Sequence, residues 1–405
     1  LDVAAAKTRN PPSLSLLIAL TAAGPLALNI FIPSMPGMVT TLGTDYATVQ
    51  LTLTLYLAAM GGAQIIIGPV SDRFGRRPAV IGGMLLFIGG SLACAFAPNI
   101  ETLIIGRVIQ AAGGCTGMVM SRTIIRDMHG MDKAASMIGY VTMVMVIAPI
   151  LAPTIGGFLD SQFDWRAGFH LSVAYAAVVL LFIYALLGET HKGPFRAESA
   201  GVMFLNFVGL LGQFRFNRHA LQIAFSSGAF FAFLGGVPYV SINLMGITPA
   251  QYGFFFMFGG VFYMLGNFIT GRKSEKWGAR RLITLGTSIG LTGGAFLIVV
   301  HATGSLTPLT LFGGMAIIAL GNGLSLPSGT AGAVSADPTR VGAASGLAGF
   351  MQIVTGALAS YIVGLLLSDS AVPMITVMSA CVTLAFGIHM TGLWVDRRSA
   401  LRREH

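Results

Sequence analysis

Charged residues cut this chain into long uncharged runs, and no other property constrains its fold as strongly. Runs 10 to 44, 46 to 71, 78 to 100, 134 to 159, 167 to 188, 341 to 368 and 370 to 395 contain no Asp, Glu, Lys or Arg. Each suits the ~20 residues that an α-helix needs to cross the hydrocarbon core of a bilayer. Runs 219 to 271 and 282 to 336 are long enough for two crossings each, with turn formers near their middles at Gly246 to Pro249 and Gly304 to Pro308. The segment from Thr102 to Ser121 is uncharged except for Arg107 and completes an expected set of twelve spans.

Composition agrees with the spacing. The chain is 54% hydrophobic and only 10% charged, where a soluble domain carries about 25% charge. Its net charge of +9 could suit nucleic acid, but the positions of the basic residues exclude that reading. Twelve spans put both termini on one side. With the termini cytoplasmic, Arg166 is the single basic residue in an outer loop and Arg107 the single one deep in a span. The positive-inside rule then accounts for the basic balance. Lys7 and Arg9 before an apolar segment mimic a signal peptide, but the segment is too long and lacks a small-x-small cleavage site, so it is expected to be a retained first span. Cys94, Cys115 and Cys381 all fall inside spans, without disulfide or metal spacing, and are expected to be small buried residues.

The connection Gly68-Pro-Val-Ser-Asp72-Arg73-Phe-Gly75-Arg76-Arg77-Pro78 is too short to be anything but a tight turn between neighbouring antiparallel helices. Its pattern of Gly, Asp-Arg, Gly and paired Arg resembles the signature loop between the second and third spans of major facilitator superfamily transporters. A degenerate copy follows at a constant offset of 203, Gly271-x-x-x-Glu275-Lys276-x-Gly278-x-Arg280. That is the six-plus-six duplication of a two-bundle transporter. The expected fold is therefore an all-α membrane protein with two pseudo-symmetric six-helix bundles, residues 1–190 and 218–405, joined by a cytoplasmic linker over 191–217.

Two further stretches extend the likeness. Arg107-Val-Ile-Gln110, followed by Gly113-Gly114, is similar to the second superfamily motif, implicated in proton transfer among proton-coupled members. Arg107 and Gln110 share a helix face, and an arginine at this depth marks a pathway unless backbone carbonyls satisfy it. Pro149 and Pro153, four apart, with Gly156 and Gly157, predict a bent fifth span with a bare face for close packing. This resembles the third motif, associated with antiporters, in a form where Ala152 replaces the usual first Gly. That form, with Trp165-Arg166-x-x-Phe169, Asn29-Ile-Phe-Ile-Pro33-Ser-Met-Pro36 and Arg126-Asp127, is similar to the bicyclomycin-resistance (Bcr/CflA) drug/proton antiporter family over nearly the whole chain.

The resemblance implies multidrug or antibiotic efflux by alternating access in a bacterial inner membrane, from a monomer with both termini cytoplasmic. Its partners would be drug-like small molecules, the lipid bilayer and protons, with no cofactor, metal or nucleic acid. A two-bundle transporter holds its substrate near the midplane between halves. The expected cavity is lined by Asn29, Tyr56, Gln64, Arg107 and Gln110 from the first half, and by Phe230, Phe233, Tyr239, Tyr263, Asn267, Asn322 and Gln352 from the second. Aromatic and amide groups with little fixed charge suit weakly charged amphipathic molecules. The alternative is a metabolite carrier that uses Arg107 to hold an organic anion. No nucleophile elbow, zinc-protease pair or phosphate loop points to an enzyme.

Members of the family commonly carry an acid where this chain has Asn29, which cannot titrate. Three routes stay open: coupling through Asp127 or Asp72, a proton carried by the substrate, or no proton coupling. The gate and coupling set is Gly68, Asp72, Arg73, Arg76, Arg77, Arg107, Asp127, Pro149, Pro153, Gly156, Gly157, Gly342 and Gly346. By resemblance, Asp72 would meet the positive N-terminal end of the eleventh span near Gly342 and Gly346, and Arg76 would pair with Asp127.

Overall fold

A computed structural model describes residues 12–128, 141, 147, 151–190, 200–337, 340–366 and 369–401. The helices are α1 (Leu14–Ile30), α2 (Met35–Leu42), α3 (Tyr46–Phe74), α4 (Arg76–Ala95), α5 (Ile100–Met128), α6 (described over 151–162) and α7 (Ala167–Leu186). They continue as α8 (Ala200–Leu211), α9 (Phe214–Pro238), α10 (Pro249–Ala302), α11 (Pro308–Val334), α12 (Val341–Leu366) and α13 (Val372–Leu401).

Ten of the described helices are long and apolar enough to cross a membrane. One of them, α10, has 54 residues, about 81 Å of helix, and is two spans in one. Its break is at Gly278, whose φ of 74° and ψ of 154° leave the helical region. Gly75 adopts the same backbone, φ 97° and ψ 158°, between α3 and α4. A side chain would be strained at either position, so the repeated motif glycines produce the same sharp turn in each half. Counting α10 twice gives eleven spans among the described residues, and the described part of α6 overlaps the uncharged run 134 to 159 expected to hold another.

Helix starts follow local capping chemistry. The Asp45 carboxylate accepts from the Thr48 amide at 2.9 Å and hydroxyl at 2.8 Å, opening α3. Those bonds, the hydroxyl first, hold its carboxyl below the usual Asp value. Reciprocal bonds between Thr248 and Gln251, and between Thr307 and Thr310, open α10 and α11. Outward-facing Ile105, Phe158, Leu181, Tyr184, Phe254 and Leu358 are exposed, forming an apolar surface whose matching solvent is lipid.

Two boundaries differ from the sequence reading. The first span, expected from the sequence to cover about Ser13 to Met35, continues through a 3-10 turn at Ile32–Ser34 into α2. The linker, which the sequence presents as a polar, basic-leaning stretch from His191 to Arg218, is not simply polar either. It carries α8, and α9 begins at Phe214 rather than at 218. Leu210 of α8 is buried in a cluster with Phe216, Ile223 and Leu347, so this part of the linker is docked on the second half. Cys94, Cys115 and Cys381 are buried and free.

Among the described residues the halves meet towards one side. At the end bearing loops 43–45 and 246–248, the Tyr46 hydroxyl donates to Gly235 O at 3.0 Å and Tyr46 lies 5.0 Å from the Tyr239 ring. Gln50 Nε2 donates to Ser360 Oγ at 2.5 Å, and Thr154 Oγ1 to Gly253 O at 2.9 Å. The closest approach is at Gly157, where an added Cβ would lie 2.2 Å from Pro249 O. Contact persists past Gly61, beside Ile353, to Gln64 beside Gly349, whereas at Gly68 and Gly346 an added Cβ would meet nothing within 4 Å. The separated ends belong to the side carrying the Arg76 loop, the Gly278 loop and the linker.

Gly157→Ala is expected to force the sealed ends apart and lengthen the distance between spin labels at Thr41 and Asn243. Gly156→Ala instead meets Ile30 O, 1.8 Å away inside the first half. It should cost about 1–3 kcal/mol in thermal unfolding without moving those labels.

Candidate functional site around Arg107

A break in α1 creates the acceptor that Arg107 needs. Pro33 has no amide to offer Asn29 O, and the Phe31 amide turns to that carbonyl instead of continuing the helix. Ala27 O thereby loses its ordinary i+4 donor. Arg107 Nη1, reaching from α5, donates to Ala27 O at 3.0 Å and to Gln110 Oε1 at 2.5 Å. Gln110 Nε2 donates on to Ser91 Oγ at 2.8 Å, and Ser91 Oγ to Phe87 O at 2.7 Å.

The guanidinium is fully buried between two rings, 4.0 Å from the centroid of Phe31 and 4.0 Å from that of Tyr56. Phe169 stands at 5.8 Å. Each close cation–π contact is worth about 0.5–2 kcal/mol, the upper end applying to desolvated sites such as this one. The Tyr56 hydroxyl donates to Gly24 O at 3.0 Å, which holds its ring in place. Arg107 makes no ion pair among the described residues, and its Nε and Nη2 reach no acceptor there. Asn29 is buried beside this centre. Its Nδ2 donates back to Pro25 O at 2.8 Å, and Oδ1 has no donor among the described residues.

The second half presents a polar ladder on α9. Asn322 Nδ2 donates to Ser226 O at 3.0 Å, Gln222 Nε2 to Ser226 Oγ at 3.0 Å, and Gln352 Nε2 to Ser227 Oγ at 2.5 Å. Phe233 packs 6.2 Å from Phe256 and 5.5 Å from Phe312, with Phe230 at 6.5 Å from Phe256. Asn267 Nδ2 is turned to its own helix, donating to Tyr263 O at 2.9 Å. Gln64 is half-buried, with Oε1 3.5 Å from where a Cβ on Gly349 would stand.

Asn29, Tyr56, Arg107 and Gln110 are thus brought together in one bundle, and Asn322 and Gln352 converge on α9. Tyr239 belongs to the seal beside Tyr46. Gln222, Ser226 and Ser227 were missed, although three polar groups within six residues of an uncharged run are a readable signal. Tyr46, Gln50 and Ser360 were missed for want of any local pattern, since their partners lie far away in sequence.

The motif loop forms a second cluster. Arg76 Nε donates to Asp127 Oδ2 at 2.9 Å and Nη1 to Ser71 Oγ at 2.6 Å, and the same Nη1 is paired with Asp72. Glu189, absent from the sequence reading of this loop, accepts the Arg76 amide at 2.9 Å and the Arg77 amide at 3.1 Å. Its carboxylate thus caps the N-terminus of α4. Arg77 Nε donates to Leu187 O at 2.9 Å, and Arg73 lies over the Phe74 ring at 5.4 Å. These partners all belong to the first half. Asp72 is held on Arg76, while Gly342 lies in α12 and Gly346 stands clear of α3. Pro153 and Gly156 are buried in α6; Pro149 lies outside the described residues.

Two six-span bundles, sealed together on one side and enclosing polar centres at membrane depth, define a membrane carrier. The profile described as Major Facilitator Superfamily matches residues 17–360 and 246–403, and the chain belongs to that superfamily. It is 30% identical over 361 residues to an uncharacterised MFS-type transporter, YdgK, of Bacillus subtilis (strain 168), covering 88% of this chain and 89% of that protein. Similarity extends to the bicyclomycin resistance protein homolog of Haemophilus influenzae, 26% identical over 89% of this chain and 91% of that one. The multidrug resistance protein D of Escherichia coli (strain K12) is 28% identical over 87% and 89%. Among solved structures, a peptide transporter, POT, in complex with alafosfalin superposes with a TM-score of 0.74 at 16% identity, covering 95% of this chain and 93% of that one. At that identity the superposition speaks for the fold.

Tyr56→Phe keeps the ring over Arg107 and loses one hydrogen bond, an expected cost of about 0.5–1.5 kcal/mol in thermal unfolding. Tyr56→Ala also uncovers the guanidinium and should cost about 3–5 kcal/mol.

Proposed function

We propose that this chain exports drug-like molecules across a bacterial inner membrane by alternating access, with both termini cytoplasmic. The observation that carries the mechanism is the one-sided seal. Bundles that touch through Gly157, Tyr46 and Gln50 at one end and stand apart at Gly68 and Gly346 are in one of the two states that a rocking carrier needs. The positive-inside rule makes the separated, Arg-rich side cytoplasmic, so this is the state that loads from the cell interior. The relatives named for bicyclomycin and multidrug resistance support drugs as the cargo, and the aromatic and amide groups around Arg107 and α9 suit weakly charged molecules.

Coupling to protons would fall to the Arg76 cluster, because Asn29 cannot titrate. Protonating Asp72 or Asp127 removes a counter-charge from Arg76 and frees the loop to engage α12 near Gly342 and Gly346 as the bundles close on the cytoplasmic side. Expression in a drug-sensitive host should raise survival against chloramphenicol or bicyclomycin. In everted vesicles, drug accumulation should collapse with an uncoupler and fall with Asp127→Asn. Uncoupler-insensitive flux would remove proton antiport. Absence of resistance, together with saturable uptake of an organic anion, would favour the metabolite carrier.

A further inference from the structure

The two halves differ at one corresponding place. In the first, α7 ends at Leu186 and Leu187 turns extended, φ −78° and ψ 116°. The chain then swings Glu189 beneath the turn at Gly75, and its carboxylate takes the first amides of α4. In the second, Gly278 repeats the turn, and Ala279 and Arg280 stand where Arg76 and Arg77 stand. There α13 does not turn back but runs on as helix to Leu401. Among the described residues no carboxylate accepts the Ala279 or Arg280 amide as Glu189 accepts those of Arg76 and Arg77. The space is a cavity of about 240 Å³ at the ends of α9, α10, α11 and α13.

Its walls are basic. Arg218, His219, Arg280 and His389 line it together with Gly392 and Asp396. Asp396 Oδ2 accepts from Arg218 Nη1 at 2.5 Å, so one arginine is neutralised. Arg218 Nε donates to His219 Nε2 at 3.3 Å, and His389 Nε2 meets Thr284 Oγ1 at 2.8 Å. Arg280, at the exposed rim, makes no ion pair among the described residues, which leaves the described lining one positive charge in excess. Gly392 keeps the space open, since an added Cβ would stand 3.2 Å from Arg218 Cδ. The volume lies below the ~300–1,000 Å³ of sites for drug-sized molecules. It suits a small anionic group better than a transported drug.

We propose that this cavity binds a phosphate-bearing anion, which supplies to the second half the negative charge that Glu189 supplies to the first. Arginines from two helices beside a helix start offer the forked donors and positive end that phosphate oxygens require. Two sources share that chemistry: the headgroup of an anionic phospholipid, drawn to basic pockets between membrane helices, and free inorganic phosphate. The assignment rests on the proposed function only in making the leaflet cytoplasmic. Its test reads binding in detergent and is independent of transport.

Thermal unfolding of the purified full chain is followed during titration with phosphatidylglycerol, phosphatidylcholine or inorganic phosphate. Phosphatidylglycerol or inorganic phosphate should raise the midpoint and phosphatidylcholine should not. Stabilisation by phosphatidylglycerol alone assigns the headgroup; a response to inorganic phosphate assigns the free anion. Arg280→Gln should weaken the apparent affinity about tenfold, the loss of one charge-assisted contact. Arg281→Gln, on an exposed residue outside the cavity, should leave it unchanged. Gly392→Glu carries a carboxylate into the space and should abolish the response while the protein stays folded. No stabilisation by either anion, or equal loss with Arg280→Gln and Arg281→Gln, overturns the proposal.

Discussion

The first half is built around a charge that the bilayer should reject. Arg107 would cost at least a few kcal/mol at this depth if left to lipid, and the surrounding chain is arranged to meet it. Pro33 ends the regular part of α1 and so releases Ala27 O. Phe31 and Tyr56 close over the two faces of the guanidinium, and Gln110 passes the hydrogen bonding on to Ser91. Bare helix faces bring these groups within reach: a Cβ on Gly117 would stand 2.1 Å from Leu20 O, so α5 can approach α1 only without one. The bend, the rings and the small residues answer one electrostatic problem.

The second half has no such charge. Asn322, Gln352 and the α9 ladder are neutral and nearly self-satisfied, and its interior beyond them is aromatic. The duplication preserved the backbone, as Gly75 and Gly278 show, while the chemistry hung on it diverged. The seal between the halves joins these unlike surfaces by close backbone approach, a few hydrogen bonds and apolar packing that is continuous from Tyr46 and Val49 to Phe233 and Val363.

What could be read in advance was set by local rules. Membrane spans declare themselves because lipid excludes charge along the whole length of a helix, and the basic side because loops carry it. The tight turn at Gly75 and its repeat at Gly278 were visible because positive φ demands glycine. The fold was therefore legible almost throughout. The candidate site was legible only as residue types at depth: Arg107 with Gln110 was visible from their spacing, but the Phe31 and Tyr56 faces depend on how α1 and α3 cross α5. Glu189 could not be foreseen beneath Gly75, since its two bonds span 113 and 112 residues. Nor could α8, an apolar helix inside a stretch read as polar connection, whose anchorage through Leu210 depends on a surface that the second half assembles.

Arg107 has one more consequence. Its guanidinium stays ionised under any physiological condition, and it is fixed in its own bundle by stacking and carbonyl bonds without an ion-pair partner among the described residues. When the halves rock, the aqueous opening passes from one side of that charge to the other, and with it the share of the transmembrane voltage that the charge feels. A full elementary charge crossing 100 mV is worth about 2.3 kcal/mol, so a fraction of that is enough to bias which state the resting carrier prefers. In the proposed cycle the membrane voltage would thereby bear on a side chain held to its own bundle by the Ala27 carbonyl and the rings of Phe31 and Tyr56.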